Sequence, residues 1–190
     1  MSQAEHPLAT HGQEGDAKKG LPDGPPNGWV ILAAWGPCGY APWAPGTAGT
    51  LGAIPLFWAL CHLSLPIYLL TAAALTALAI YAAQAAGKYW KEADAPQIVI
   101  DEVVGYLITM TAVPWSWPSV LIGFALFRLF DVLKPWPASA FDRVKSGFGV
   151  VMDDVAAGVY AWGSLAAIRF LVTLWLGCEG ARWWCGGFGS

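Results

Sequence analysis

From residue 24 to residue 87 the chain carries no Asp, Glu, Lys or Arg. A soluble domain needs charge spread over its surface to cover its core from water, so a stretch this long without any belongs in lipid. The rest of the composition agrees. Charged residues make up 12% of the 190, against about 25% in ordinary globular proteins. Apolar residues reach 56% and mean hydropathy is +0.49. The 12 Trp suit the headgroup zone, where an indole ring rests on acyl chains and its N–H stays wet. The chain reads as an all-α integral membrane protein. A net charge of −3 and a pI near 5.5 exclude a nucleic-acid binder that works by bulk electrostatics. Four Cys (38, 61, 178 and 185) with no C-x-x-C pair exclude a disulfide scaffold and a zinc ribbon.

Residues 1–28 are rich in Gly, Pro and charge and read as a disordered polar tail without the apolar core of a signal peptide. Residues 29–35, WVILAAW, are too short to span and suit an interfacial segment or one packed on the bundle. A span of marginal length starts at Thr47, and residues 65–86 make the cleanest transmembrane helix. Residues 98–133 allow one long span or a helical hairpin. Pro114 and Pro118 within PWSWP favour the hairpin, 98–113 and 119–133. Each arm, about 15 residues or roughly 23 Å, falls short of a hydrocarbon core about 30 Å thick. A last span covers 155–176. The expected fold is therefore a compact bundle of about five transmembrane helices, some short or broken. Lys18, Lys19, Lys88, Lys91, Arg128, Lys134, Arg143 and Lys145 fall on the N-terminal side and only Arg169 and Arg182 on the other. That bias puts the N-terminal side in the cytoplasm. Cys178 and Cys185 fall on the outer side, where they could pair.

Six acidic residues form a pattern: Asp101, Glu102, Asp131, Asp142, Asp153 and Asp154. All but Asp142 border or enter an apolar run, where a carboxylate is costly unless paired, metal-bound or catalytic. Helix-end capping explains Asp153 and Asp154 equally well; it explains Asp101-Glu102, embedded in IVIDEVVGYLITM, poorly. Only the hairpin brings all six to one membrane face. Convergent carboxylates are hard oxygen ligands suited to Mg²⁺. Arg128, Lys134, Arg143 and Lys145 beside them suit phosphate oxygens. Arg128 and Asp131 share a helix face, and Pro135 ends that helix at Lys134. The pattern fits a metal-assisted phosphoryl site, and a solvated loop with ordinary ion pairs is the plainer alternative. Two glycine-bearing loops, Pro45–Thr50 (Thr47, Gly49, Thr50) and Ser146–Gly149 (Gly147, Gly149), could let backbone N–H groups approach an anion. The chain has no Cys-x5-Arg phosphate loop, no Asp-x-Asp-x-[Thr/Val], no CDP-alcohol transferase pattern and no His placed for phosphoryl transfer.

PGTAGTLGAIP (45–55), IDEVVGYLITM (100–110), FRLFDVLKPWP (127–137) and FDRVKSGFGVVMDDVAAGVYA (141–161) together resemble phosphatidylglycerophosphatase A over roughly 30–170. Ser146 stands where that family usually has glycine. The resemblance implies a bacterial inner-membrane, Mg²⁺-dependent lipid phosphatase. It would convert phosphatidylglycerophosphate to phosphatidylglycerol and inorganic phosphate on the cytoplasmic side, drawing the phospholipid from the bilayer. It implies a phosphatase domain over 29–178 and a C-terminal tail over 179–190. Asp101, Glu102, Asp131, Asp153 and Asp154 are the expected metal ligands. Asp142 or Asp154 is the expected base, and Arg128, Lys134 and Arg143 the expected cations. The rival class is a cation or proton transporter using the same carboxylates. Mid-span acids and an internal repeat would mark it, and the sequence shows neither.

Overall fold

The structure is a computed structural model that describes residues 24–180, with side chains described to residue 177. Most of the polar tail, all but the first residues of the C-terminal tail, and the Cys178–Cys185 pairing lie outside the described residues. Within them the chain is entirely helical: α1 (Gly28–Ala33), a short 3₁₀ turn (Cys38–Tyr40), α2 (Pro45–Leu60), α3 (Leu65–Trp90), α4 (Ile100–Thr109), α5 (Trp117–Leu133), α6 (Ala138–Phe141) and α7 (Gly147–Gly180). The backbone of α7 leaves helical geometry at Gly177, φ 68°.

The helix ends follow local chemistry. Proline opens α2, α3 and α5 in the first turn, where its missing N–H has no helical partner to lose. Ser116 caps α5 by accepting the Ser119 N–H at 3.2 Å, and Asn27 Oδ1 caps α1 by accepting the N–H groups of Trp29 and Val30. The PWSWP break does separate two helices, so residues 98–133 form a hairpin. Tyr106 donates to the Val120 carbonyl, while Arg128 comes back beside Glu102. At its far end α5 closes on Lys134 in the left-handed region, φ 43°, before Pro135.

α4 is the central helix, buried along nearly its whole length. α2 runs parallel to it, with Gly49 against Val99 and the Phe57 ring 6.3 Å from that of Tyr106. α3 runs the other way: Tyr68, near its start, donates to the Leu107 carbonyl at 2.6 Å. Ala83 and Ala86, near its end, share a cluster with Ile98 and Ile100. α7 again parallels α4, since a Cβ on Gly158 would strike the Gly105 carbonyl and Trp162 Nε1 donates to the Thr111 carbonyl. The five longest helices thus alternate in direction. The starts of α2, α4 and α7 and the ends of α3 and α5 meet at one end of the bundle. Ala79, Ala82, Ala83 and Ala86 lie at helical spacing on one buried face of α3, small enough for close approach. Large side chains (Phe57, Tyr68, Tyr106, Leu107, Met110, Phe127, Leu165) fill the core further along.

The expectation of about five spans meets a different element count. There are seven α-helices among the described residues, and two of them, Leu65–Trp90 and Gly147–Gly177, are long and apolar enough to cross a membrane. α2, α4 and α5, at 16, 10 and 17 residues, are shorter; proline opens α2 and α5, and the PWSWP break separates α4 from α5.

Candidate active site

At the end where the helices converge, the first turn of α4 supplies Asp101 and Glu102, and α7, two turns in, supplies Asp154. One carboxylate oxygen from each lies within 4.8 Å of the others. Asp101 is 7% exposed and Asp154 3%. Asp101 Oδ1, Glu102 Oε2 and Asp154 Oδ2 are buried with no hydrogen-bond partner among the described residues. Buried carboxylate oxygens without donors are costly, and three crowded together repel one another. A bound cation resolves both problems, and an all-oxygen, all-carboxylate donor set suits a hard divalent ion.

Two glycines allow the carboxylates to meet. Gly105 stands four residues after Asp101 and Gly158 four after Asp154, so each is one turn along on the carboxylate's own face. A Cβ on Gly105 would lie 2.8 Å from the Asp154 carbonyl oxygen and run into the Phe127 ring. Thr109, a turn further, donates to the Gly105 carbonyl at 3.0 Å. Sequence reasoning missed both glycines, although the repeated Asp-x3-Gly spacing was there to be read.

The end of α5 brings the cations. Arg128 Nη1 lies 2.7 Å from Asp131 Oδ2 and 3.8 Å from Glu102 Oε1, so the expected pair on one helix face also reaches across to α4. Asp131 itself lies beside Asp154. Lys134 donates to Asp142 and, at 2.6 Å, to Asp153 Oδ2. Burial alone would lower the Lys134 pKa, but these two carboxylates outweigh it and hold the ammonium above its ordinary range. Its hydrogen bond in turn holds Asp142 below the usual carboxylate range. Asp153 also accepts the Asp154 N–H on Oδ1 at 3.0 Å, so both its oxygens have protein partners. Lys134 sits in the left-handed region as the C-cap of α5, a conformation that costs a non-glycine residue about 1–2 kcal/mol.

The remaining expected residues are spread more widely. Glu102 adjoins the start of α2, where a Cβ on Gly46 would hit its carboxylate, and Thr47 is half-buried in the same turn. Gly49 packs on Val99, and the Thr50 hydroxyl donates to the Gly46 carbonyl at 2.9 Å. The Gly147 N–H donates to Gln84 Oε1 at 3.0 Å and the Gly149 N–H to Ser146 Oγ at 3.3 Å. A Cβ on Gly147 would meet the α3 backbone at Ile80 and Gln84, and one on Gly149 the Phe141 and Val144 carbonyls. These glycines serve close packing, and the N–H groups of Gly147 and Gly149 are already engaged. Arg143 is exposed on the turn before α7.

The same residues lie inside the span recognised by a family model. Residues 31–169 match the model described as Phosphatidylglycerophosphatase A. The chain belongs to the phosphatidylglycerophosphatase A family. It is thereby an enzyme of the phosphoric monoester hydrolase class. Phosphatidylglycerophosphatase A of Escherichia coli K12 is 38% identical over 143 residues, 73% of this chain and 82% of the relative. That of Haemophilus influenzae is 41% identical over 130 residues, 67% and 80% respectively. A Bacteroides thetaiotaomicron protein provisionally named a phosphatidylinositol-3-phosphatase is 42% identical over 153 residues, 75% of this chain and 94% of the relative. No solved structure matches the chain. The acidic triad, the Arg128–Asp131 pair and the Lys134 clamp thus sit in a phosphatase family, where a divalent cation fits the chemistry.

Proposed function

We propose that the protein is a Mg²⁺-dependent phosphatase of the bacterial inner membrane that removes the terminal phosphate of phosphatidylglycerophosphate at the cytoplasmic face. The observation that carries this reading is the trio of buried, unpartnered carboxylate oxygens on Asp101, Glu102 and Asp154, set beside fastened cations in a chain of this family.

Asp101, Glu102 and Asp154 would hold the ion, with Asp131 flanking them. Bound there, Mg²⁺ supplies Lewis-acid polarisation of the phosphomonoester and a more acidic water. The chain's own groups do the rest. Arg128, oriented by Asp131, has further N–H groups to offer the phosphoryl oxygens. Lys134 has three ammonium protons, two of them given to Asp142 and Asp153, and the third serves the same charge. Of the two candidate bases, Asp142 is committed to Lys134 and held below the usual range, which makes it a weak proton acceptor. Asp154 would give one carboxylate oxygen to the ion and take the proton of the attacking water on the other. Asp153 positions Lys134, and the first turn of α2 with Thr47 closes the site from the other side. The glycines of the second loop act in packing.

Membrane residence is supported by the outer surface of the two span-length helices. Only 22% of each apolar window is buried, unlike a soluble core helix, and Leu69, Leu70, Leu174 and Trp175 point outward. The site end carries Lys88, Arg128, Lys134, Arg143 and Lys145, which favours the cytoplasmic side. The acyl chains then stay in lipid and only the headgroup enters the site. Acids gathered at one end of the helices, with cations interleaved, do not favour the transporter alternative.

The Bacteroides relative's name supports a second reading, in which the headgroup is a 3-phosphoinositide. Phosphate release from phosphatidylglycerophosphate and phosphatidylinositol 3-phosphate, side by side in mixed micelles with Mg²⁺, separates the two. A kcat/KM at least tenfold higher for phosphatidylglycerophosphate is expected. The reverse order would transfer the assignment to the phosphoinositide.

A further inference from the structure

Away from the carboxylate triad, the outer face of α3 near its end holds a half-open cavity of about 430 Å³ lined by Asn27, Tyr81, Gln84, Ala85, Lys88 and Tyr89. Three of these groups have donors left to offer, while Tyr89 already gives its hydroxyl proton to the Gly24 carbonyl at 2.8 Å. Asn27 uses Oδ1 to cap α1, which leaves its NH₂. Gln84 uses Oε1 to accept the Gly147 N–H, which also leaves its NH₂. Lys88 contributes an ammonium, and no carboxylate among the described residues lines the cavity. Two amide donors and a cation recognise an anion with several acceptor oxygens. Beside them Trp29 and Tyr81 meet edge to face at 4.7 Å, both exposed, as aromatic residues do at headgroup depth.

We propose that this cavity is a second lipid site, which holds the phosphodiester headgroup of an anionic phospholipid against α3, apart from the hydrolytic centre. The proposal rests on α3 lying in a bilayer and is independent of which headgroup the enzyme cleaves. A free phosphate offers the same oxygens, but only a lipid also places acyl chains along the apolar flank of α3 and its exposed aromatic pair.

The test is titration of the purified full chain in dodecyl maltoside and EDTA, where the carboxylate centre has no metal to hold phosphate. The ligands are dihexanoylphosphatidylglycerol, dihexanoylphosphatidylcholine and inorganic phosphate, read by calorimetry. Saturable binding of the anionic lipid is expected. It should persist in Asp101→Asn, weaken at least tenfold in Lys88→Ala and return in Lys88→Arg. Lys88 is exposed, so its loss leaves the fold in place. Binding unchanged by Lys88→Ala, binding lost in Asp101→Asn, or equal affinity for the zwitterionic lipid would each overturn the proposal. Inorganic phosphate binding as tightly as the lipid would overturn the headgroup assignment. Hydrolysis plays no part in these measurements, so failure of the phosphatase reading would show separately, as absent phosphate release.

Discussion

Replacing Lys134 by Met removes the clamp between α5, the 135–146 segment and α7, and the structure sets the size of the effect. Asp153 is 6% exposed, and one of its oxygens would be left facing a methyl group. Breaking a buried pair by removing one partner costs about 3–5 kcal/mol, and an exposed pair contributes below about 1 kcal/mol. The Asp142 side chain is 38% exposed, so that half of the clamp adds little. With Lys134 itself partly open to solvent, a loss of about 3 kcal/mol at the unfolding midpoint is expected. For a chain of this size each kcal/mol moves Tm by about 2–4 °C, so the shift is roughly 6–12 °C downward. The many tryptophans make intrinsic fluorescence on heating, in one detergent, a suitable assay. The double variant Lys134→Met/Asp153→Asn should regain at least half of the loss, because the unpaired charge is gone. A shift smaller than about 2 °C, or a double variant no more stable than the single, would refute the clamp.

Gly105→Ala should cost about 1–3 kcal/mol by overpacking, seen in Tm, and also lower phosphate release, because the new methyl drives α4 from α7 and parts Asp101 from Asp154. Full activity with an unchanged Tm would contradict the close approach. Asp101→Asn should reduce phosphate release on the order of 100-fold or more while Tm and detergent extraction stay near wild type. Asp142 has a folded-state pKa below its unfolded value, so its pair with Lys134 stabilises fully above about pH 4 and is lost as pH falls through the folded value. The Tm difference between wild type and Asp142→Asn should therefore be flat from pH 5 to 8 and shrink below pH 4; a difference growing toward acid would reverse the sign.

Much of this site is legible in the sequence because charge is so scarce. PWSWP favours a fold-back of residues 98–133, which puts Asp101-Glu102 and Arg128-Asp131 at the same end of the bundle. What stays hidden are the partners. Lys134 and Asp153 are 19 residues apart, and nothing local says that the lysine bridges Asp153 to Asp142. The glycines mislead for a related reason: one residue type serves both anion cradles and close helix contact. The bond from Gly147 to Gln84, 63 residues away, engages one of these N–H groups, and only the fold supplies it. The helix ends are equally hidden, since α2, α4 and α5 read as marginal spans and their actual bounds are seen only in the fold.

The most direct test of the central claim is release of inorganic phosphate from phosphatidylglycerophosphate by the purified full chain in detergent, first with Mg²⁺, then with EDTA, then with Mg²⁺ restored in excess. Release in the first state, its loss in the second and its return in the third are expected, with Asp101→Asn inactive throughout. Release that continues undiminished in EDTA, or an Asp101→Asn protein as active as wild type, would contradict a metal-assisted site built on Asp101, Glu102 and Asp154.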